Sequence, residues 1–98
     1  MLLNIQNINA AGVTIVNKSM VMVNVDIAGI TINLHNVNFK ADGLVINIKR
    51  DHATNINNIL INDSSGSTIE GAASYNLTGV RESIMVVYNL TNNNWSII

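Results

Sequence analysis

Met20-Val21-Met22-Val23-Asn24-Val25-Asp26-Ile27 is the stretch that decides the fold class. Val21, Val23, Val25 and Ile27 fall on one side of an extended chain and Met20, Met22, Asn24 and Asp26 on the other, the period of two that belongs to a β-strand. Working outward, similar β-branched segments stand at residues 30–34, 44–49, 59–62, 84–88 and 95–98, with a weaker one at 13–16. Turn formers separate them: Asn17-Lys18-Ser19, Ala28-Gly29, Ala41-Asp42-Gly43, Asn62-Asp63-Ser64-Ser65-Gly66-Ser67 and Asn92-Asn93-Asn94. Their glycines and short amides tolerate positive φ. No apolar 3,4 spacing is sustained over a dozen residues, so helix is confined to single turns. The pattern predicts an all-β fold, a small β-sandwich or β-roll of about seven to nine short antiparallel strands.

The 98 residues make one domain. Residues 1–19 read as an N-terminal arm or first strands, a candidate docking segment, and residues 20–98 as a single module. Charged residues are only 11% of the chain while 48% is hydrophobic, so charge does not carry its solubility. Eighteen Asn supply the polarity, and fifteen Ile with ten Val supply the core. The Asn content admits two readings: stacked amide ladders between repeated rungs, or the codon bias of an AT-rich genome. No fixed period of about 20–50 residues relates the Asn positions, which favours the second. Proline is absent, so edge strands need another form of protection.

Several segments are apolar on both faces: Met20-Val21-Met22-Val23, Leu44-Val45-Ile46, Ile59-Leu60-Ile61 and Ile84-Met85-Val86-Val87. A chain of this size covers one face of most of its sheet, so the second face calls for another chain. The expectation is an obligate homo-oligomer. The alternative is a closed sandwich that hides every apolar face inside one protomer.

Chemistry-bearing patterns are sparse. The net charge of −1 leaves no field for phosphates or an anionic membrane, so neither nucleic acid nor membrane is an expected partner. There is no Cys, and His35 and His52 are too far apart in sequence to form a zinc-ligand pair. A set of Ser64, His52 and Asp63 is what any Ser-rich chain offers. The stretch from Asp63 to Ser74 departs from a calcium loop, with Gly66 at the fourth position and Ser74 where a bidentate Glu is required. Asp26, Asp42, Asp51, Glu70 and Glu82 lie in different segments and form no acid–base pair by spacing. No cofactor is implied. Asn-x-Ser/Thr sequons at Asn17, Asn62, Asn76, Asn89 and Asn94 are the chance yield of so much Asn, and no signal peptide precedes them. Lys49-Arg50-Asp51-His52 reads as a solvated strand end with a local ion pair. Tyr75, Tyr88 and Trp95, with Ile84 and Val86, read as core or subunit-interface anchors. In the final segments Ile84, Val86 and Tyr88 face one way, Met85 and Val87 the other, and Trp95 alternates with Ile97 in a returning strand.

The order of these segments resembles a module of virion fibres, spikes and capsid-decoration proteins of tailed phages and large DNA viruses. Thr68-Ile69-Glu70-Gly71, then Tyr75-Asn76-Leu77, then Glu82-Ser83-Ile84-Met85-Val86-Val87-Tyr88 with Asn94-Trp95-Ser96-Ile97-Ile98 resemble its closing part, which ends in a hairpin. Upstream, Val23 through Leu34 is similar to the module's first hairpin, Ala41 through Asp51 to its Ala-Asp-Gly segment, and Asn57 through Asn62 to a following strand. The likeness covers residues 20–98. It departs at Leu34-His35, where the module has Leu-Pro, and at the lengthened tip from Tyr88 to Trp95. The resemblance implies trimers, a structural role and no catalytic residues.

On that reading the chain is a non-enzymatic virion structural protein, made in the host cytoplasm and carried on the virion. The first expectation is a capsid decoration, auxiliary or short head-fibre component, with itself, as a homotrimer, and the major capsid protein or other virion proteins as partners. An alternative is a tail-fibre or spike tip that binds host surface glycans through loops at 35–43, 50–58 or 89–94. A bacterial carbohydrate-binding or adhesin domain is a third reading.

Overall fold

A computed structural model of the chain describes residues 4–36 and 40–98. The strands are β1 (Ile5–Ile8), β2 (Gly12–Ile15), β3 (Met20–Val23), β4 (Ile30–Asn33), β5 (Val45–Arg50), β6 (Ile59–Asn62), β7 (Thr68–Ile69), β8 (Ser74–Leu77), β9 (Ser83–Asn89) and β10 (Asn94–Ile97). They build a six-stranded sheet in the order β1-β3-β5-β9-β10-β7 and a four-stranded sheet in the order β2-β4-β6-β8, which share one core. The fold is all-β, and the described residues contain no helix.

The expected antiparallel arrangement is overturned, because both sheets are mixed. β1, β3 and β5 pair in parallel, and so do β2, β4 and β6. Antiparallel pairing belongs to the second half of the chain, at β5–β9, β9–β10 and β6–β8. Parallel neighbours need a crossover of about a dozen residues or more. Here each crossover carries a strand of the opposite sheet, so β1 reaches β3 through β2 and β3 reaches β5 through β4. The first six strands therefore wind as a coil, and every turn buries its own inner row against the other sheet.

The segment from Val23 to Leu34 is consequently not a hairpin. β3 ends at Val23, four residues short of the alternation in the sequence, and the chain crosses to the other sheet through Gly29, whose φ of +84° suits a residue without a side chain. Asn24 keeps the ladder for one more step, its N–H donating to the Ile8 carbonyl at 3.0 Å. Asp26 then leaves the outer face and turns inward.

The missing sequence period also has a physical cause. Ile5 pairs with Met20 and Met20 with Asn47, while Gly12 pairs with Ile30 and Thr31 with Leu60. Each turn is longer than the one before it, because the loops lengthen while the strands stay in register. Stacked amides do occur on this coil: Asn24 Nδ2 donates to Asn7 Oδ1 at 3.0 Å and to Asn9 Oδ1 at 3.1 Å on the preceding turn.

The inner rows are β-branched. Val21, Ile46, Ile48 and Val86 from one sheet meet Ile32, Ile59, Ile61 and Leu77 from the other, all at 0–1% exposure. Each such aliphatic side chain contributes about 1.5–3 kcal/mol of burial. The β9–β10 hairpin closes the core with Tyr88 opposite Trp95, their ring centroids 5.0 Å apart at a 45° tilt.

Candidate functional site

The outer face of the six-stranded sheet follows from the same alternation. Pairing register aligns Ile5, Met20, Asn47 and Met85 in one row, and the Ile98 N–H extends that row by donating to the Met85 carbonyl at 2.8 Å. A second row runs Asn7, Met22, Lys49, Ser83, and a third Val45, Val87, Ser96. Ile5, Met85 and Ile98 are 44%, 38% and 69% exposed, and Met20, Met22, Val45 and Val87 are half-buried. Lys49 is the one ionisable side chain in these rows, and its ammonium donates to the Arg81 carbonyl at 2.8 Å. The closed sandwich that hides every apolar face within one protomer is therefore not what this chain forms.

The loops gather at two opposite ends. Residues 16–19, 34–36, 40–44, 63–67 and 89–94 lie at one end, and residues 9–11, 24–29, 51–58 and 78–82 at the other. The three loops that the sequence offers as glycan readers are thereby split: 40–43 and 89–94 meet, through Leu90 N–H and Asp42 Oδ1 at 2.9 Å, and 50–58 is on the far side. Residues 37–39 of the first loop lie outside the described residues.

At the first end a polar knot forms around Asp63, whose side chain is fully buried. It accepts from Lys40 Nζ at 2.6 Å, from Trp95 Nε1 at 2.9 Å and from Ser65 N–H at 2.9 Å. His35 Nδ1 stands 3.9 Å away. Burial pushes the carboxyl of Asp63 up, but Lys40, Ser65 and Trp95 together outweigh it and hold the value at about 2. Lys40 also donates to Ser65 Oγ at 3.0 Å and Ser67 Oγ at 2.7 Å, and sits 4.4 Å from the Tyr88 ring centroid. Ser67 and Tyr88 both donate to Asn93 Oδ1. Serine stands beside lysine here, and Lys40 Nζ is shared among three oxygens, those of Asp63, Ser65 and Ser67, while Ser67 turns its hydroxyl to Asn93. The knot fastens the 63–67 turn to the closing hairpin.

At the opposite end Arg50 continues the inward phase of Ile46 and Ile48 and is completely buried. This corrects the reading of residues 49–52 as a solvated strand end. Its Nη2 donates to the Asn57 carbonyl at 2.6 Å and the Leu77 carbonyl at 2.8 Å, and Nη1 lies 3.6 Å from Asp26 Oδ1. Asp26 accepts from the Thr54 hydroxyl, from Ile56 N–H at 2.9 Å and from Asn57 N–H at 2.9 Å. The Thr54 hydrogen bond is the largest cause that holds its carboxyl far below the usual range; burial opposes, and the Asn57 and Ile56 amides add to the lowering. The local ion pair expected near residue 51 is Asp51 with Arg81, exposed, at 3.0 Å. Sequence reasoning missed the Asp26–Arg50 pair, although the i, i+2, i+4 phase of Ile46, Ile48 and Arg50 carried half of the signal.

Among the anchors named from the sequence, Trp95, Val86, Tyr88 and Ile84 are at 0%, 0%, 4% and 8% exposure, all facing the core of their own chain. Tyr75 is half-buried against that core, with its hydroxyl 3.4 Å from Glu82 Oε2. Burial, then the charge and hydrogen bond of Glu82, raise its pKa. Asp63 and Ser64 occupy one end of the sandwich and His52 the other, so those three residues form no triad. Among the described residues no three of His, Cys, Asp and Glu converge as metal ligands. No family model matches the chain, and no curated protein matches it.

Proposed function

We propose that this chain is a non-enzymatic structural component of a virion surface, a capsid decoration, auxiliary or short head-fibre protein that works as an assembly, with trimers the form implied by the resemblance. Support comes from the ordered likeness of residues 20–98 to such modules. The observation that carries the reading is the outer face of the six-stranded sheet, where Ile5, Met20, Met22, Val45, Met85, Val87 and Ile98 share three rows with a single charge. An apolar, nearly uncharged face of this extent marks a site that another protein covers. On a particle, those partners are sister chains and the shell, for which the edge strand β1 offers main-chain pairing.

Glycan recognition at a fibre tip is the weaker reading. Tyr88 and Trp95, the rings suited to stacking on a sugar, are buried, and Tyr75 is half-buried. Gold labelling of particles with an antibody against the chain tests the assignment. Label over the shell is the expected result, label confined to the tail moves the protein to the fibre tip, and unlabelled particles overturn the proposal.

A further inference from the structure

We infer that the outer face of the six-stranded sheet is covered by the same face of another copy of this chain, with the Asn47 side chains opposed near the symmetry axis. The inference rests on the proposed function only in taking this face as covered in the working state.

Asn47 is the centre of the first row, with Ile5 and Met20 on one side and Met85 and Ile98 on the other. It is half-buried, and its side-chain amide makes no hydrogen bond among the described residues. An amide carries both donor and acceptor, so it is satisfied by a copy of itself. An amide without a partner at the centre of an apolar row then fixes register and stoichiometry, as a buried Asn does between paired helices, whereas Asn7 in the next row is already bonded to Asn24. A partner of different surface would need a polar group placed opposite Asn47 by coincidence, whereas symmetry places one there without further cost.

Charge points the same way. Identical faces meet without repulsion only when they carry little charge, and the single ammonium here, Lys49, leans to the Arg81 carbonyl at the rim. Side-chain shape agrees as well. Met20, Met22 and Met85 are unbranched and adaptable, which lets two copies of one relief interdigitate. Six strands spaced by about 4.8 Å, five of them about 13–23 Å long and the two-residue β7 about 7 Å, give a projected face of roughly 400 Å² per chain. Two such faces bury about 800 Å² in projection and more with side-chain relief, which approaches the ~1,000 Å² that specific association calls for.

Sedimentation of the purified chain across the micromolar range tests this. The wild type is expected as a closed assembly of two or three chains, and Met22→Glu and Met85→Lys are each expected to yield the 10.6 kDa single chain with unchanged circular dichroism. Both substitutions lie on the outer face, so folding is preserved, and the spectrum verifies it. Asn47→Leu is expected to remain associated while spreading over several stoichiometries. A wild type that sediments as a single chain, or an assembly that both charged variants leave intact, overturns the inference. A sharp wild-type stoichiometry retained by Asn47→Leu overturns the role given to Asn47. Loss of particle labelling with self-association intact counts against the virion role alone.

Discussion

Gln6 and Ile15 close the open end of the coil: Gln6 Nε2 donates to the Ile15 carbonyl at 2.9 Å, while Gln6 Oε1 accepts from the Asn17 N–H at 2.9 Å. β1 and β2 are the first strands of their sheets, and among the described residues no strand pairs with their outer edges. The Gln6 amide reaches from β1 and presents to β2 one donor and one acceptor, as the peptide of a further turn would. This is the edge protection that a chain without proline has to find elsewhere.

Gln6→Leu keeps the volume and removes both hydrogen bonds. Water replaces them at this half-buried site, so the expected loss is about 1 kcal/mol in denaturant titration. The larger consequence is a freed β2 edge. Light scattering on standing should rise for Gln6→Leu, and should do so equally in a Met22→Glu background, since edge pairing and face pairing use different surfaces.

Trp95 is held by both its ring and its N–H. Trp95→Ala removes the largest fully buried side chain and should cost about 3–5 kcal/mol in chemical denaturation. Trp95→Phe retains a ring beside Tyr88 and withdraws one donor from Asp63, so a smaller cost of about 1–3 kcal/mol is expected. Equal losses from the two variants would mean that the Asp63 bond, and not the ring, carries the effect.

Acid titration reads the Asp63 knot. Its folded pKa of about 2 lies below the ordinary aspartate value of 3.8, so the folded state holds the ionised form more tightly. That contribution is fully present above pH 4 and is lost as pH falls through about 2, a total of about 2 kcal/mol. Asp63→Asn should therefore be markedly less stable than wild type at neutral pH, with the gap narrowing between pH 4 and pH 2. A gap independent of pH over that interval would remove the charge of Asp63 from the account.

The two arginines near the same end differ in kind. Arg50 is buried and holds two carbonyls, so Arg50→Met should destabilise by about 3–5 kcal/mol. Arg81 is more than half exposed, and Arg81→Met should change stability by at most about 1 kcal/mol. Thermal unfolding of the pair at low and high salt checks this, with salt sensitivity expected to drop in Arg81→Met.

Much of the fold was legible because the signal was local. The inward set Val21, Val23, Ile46, Ile48, Ile84 and Val86 and the outward set Met20, Met22, Met85 and Val87 follow from the period of two. The returning hairpin was legible too, since Tyr88 and Trp95 are close in sequence. The first strands expected within residues 1–19 carried no bounds, since β1 sets Ile5 and Ile8 three apart with Gln6 and Asn7 between them, and β7 has only two residues.

The sequence by itself determined which residues extend, which face is apolar and where turns fall, because each depends on neighbours within a few positions. Only the tertiary structure decided that the early strands run parallel, that β3 and β4 part company into different sheets, and that Arg50 reaches Asp26 across 24 positions of chain. Those outcomes depend on loops of unequal length bringing distant turns into register. Loop length is tolerated at a slowly growing entropic cost and leaves no periodic mark on the residues.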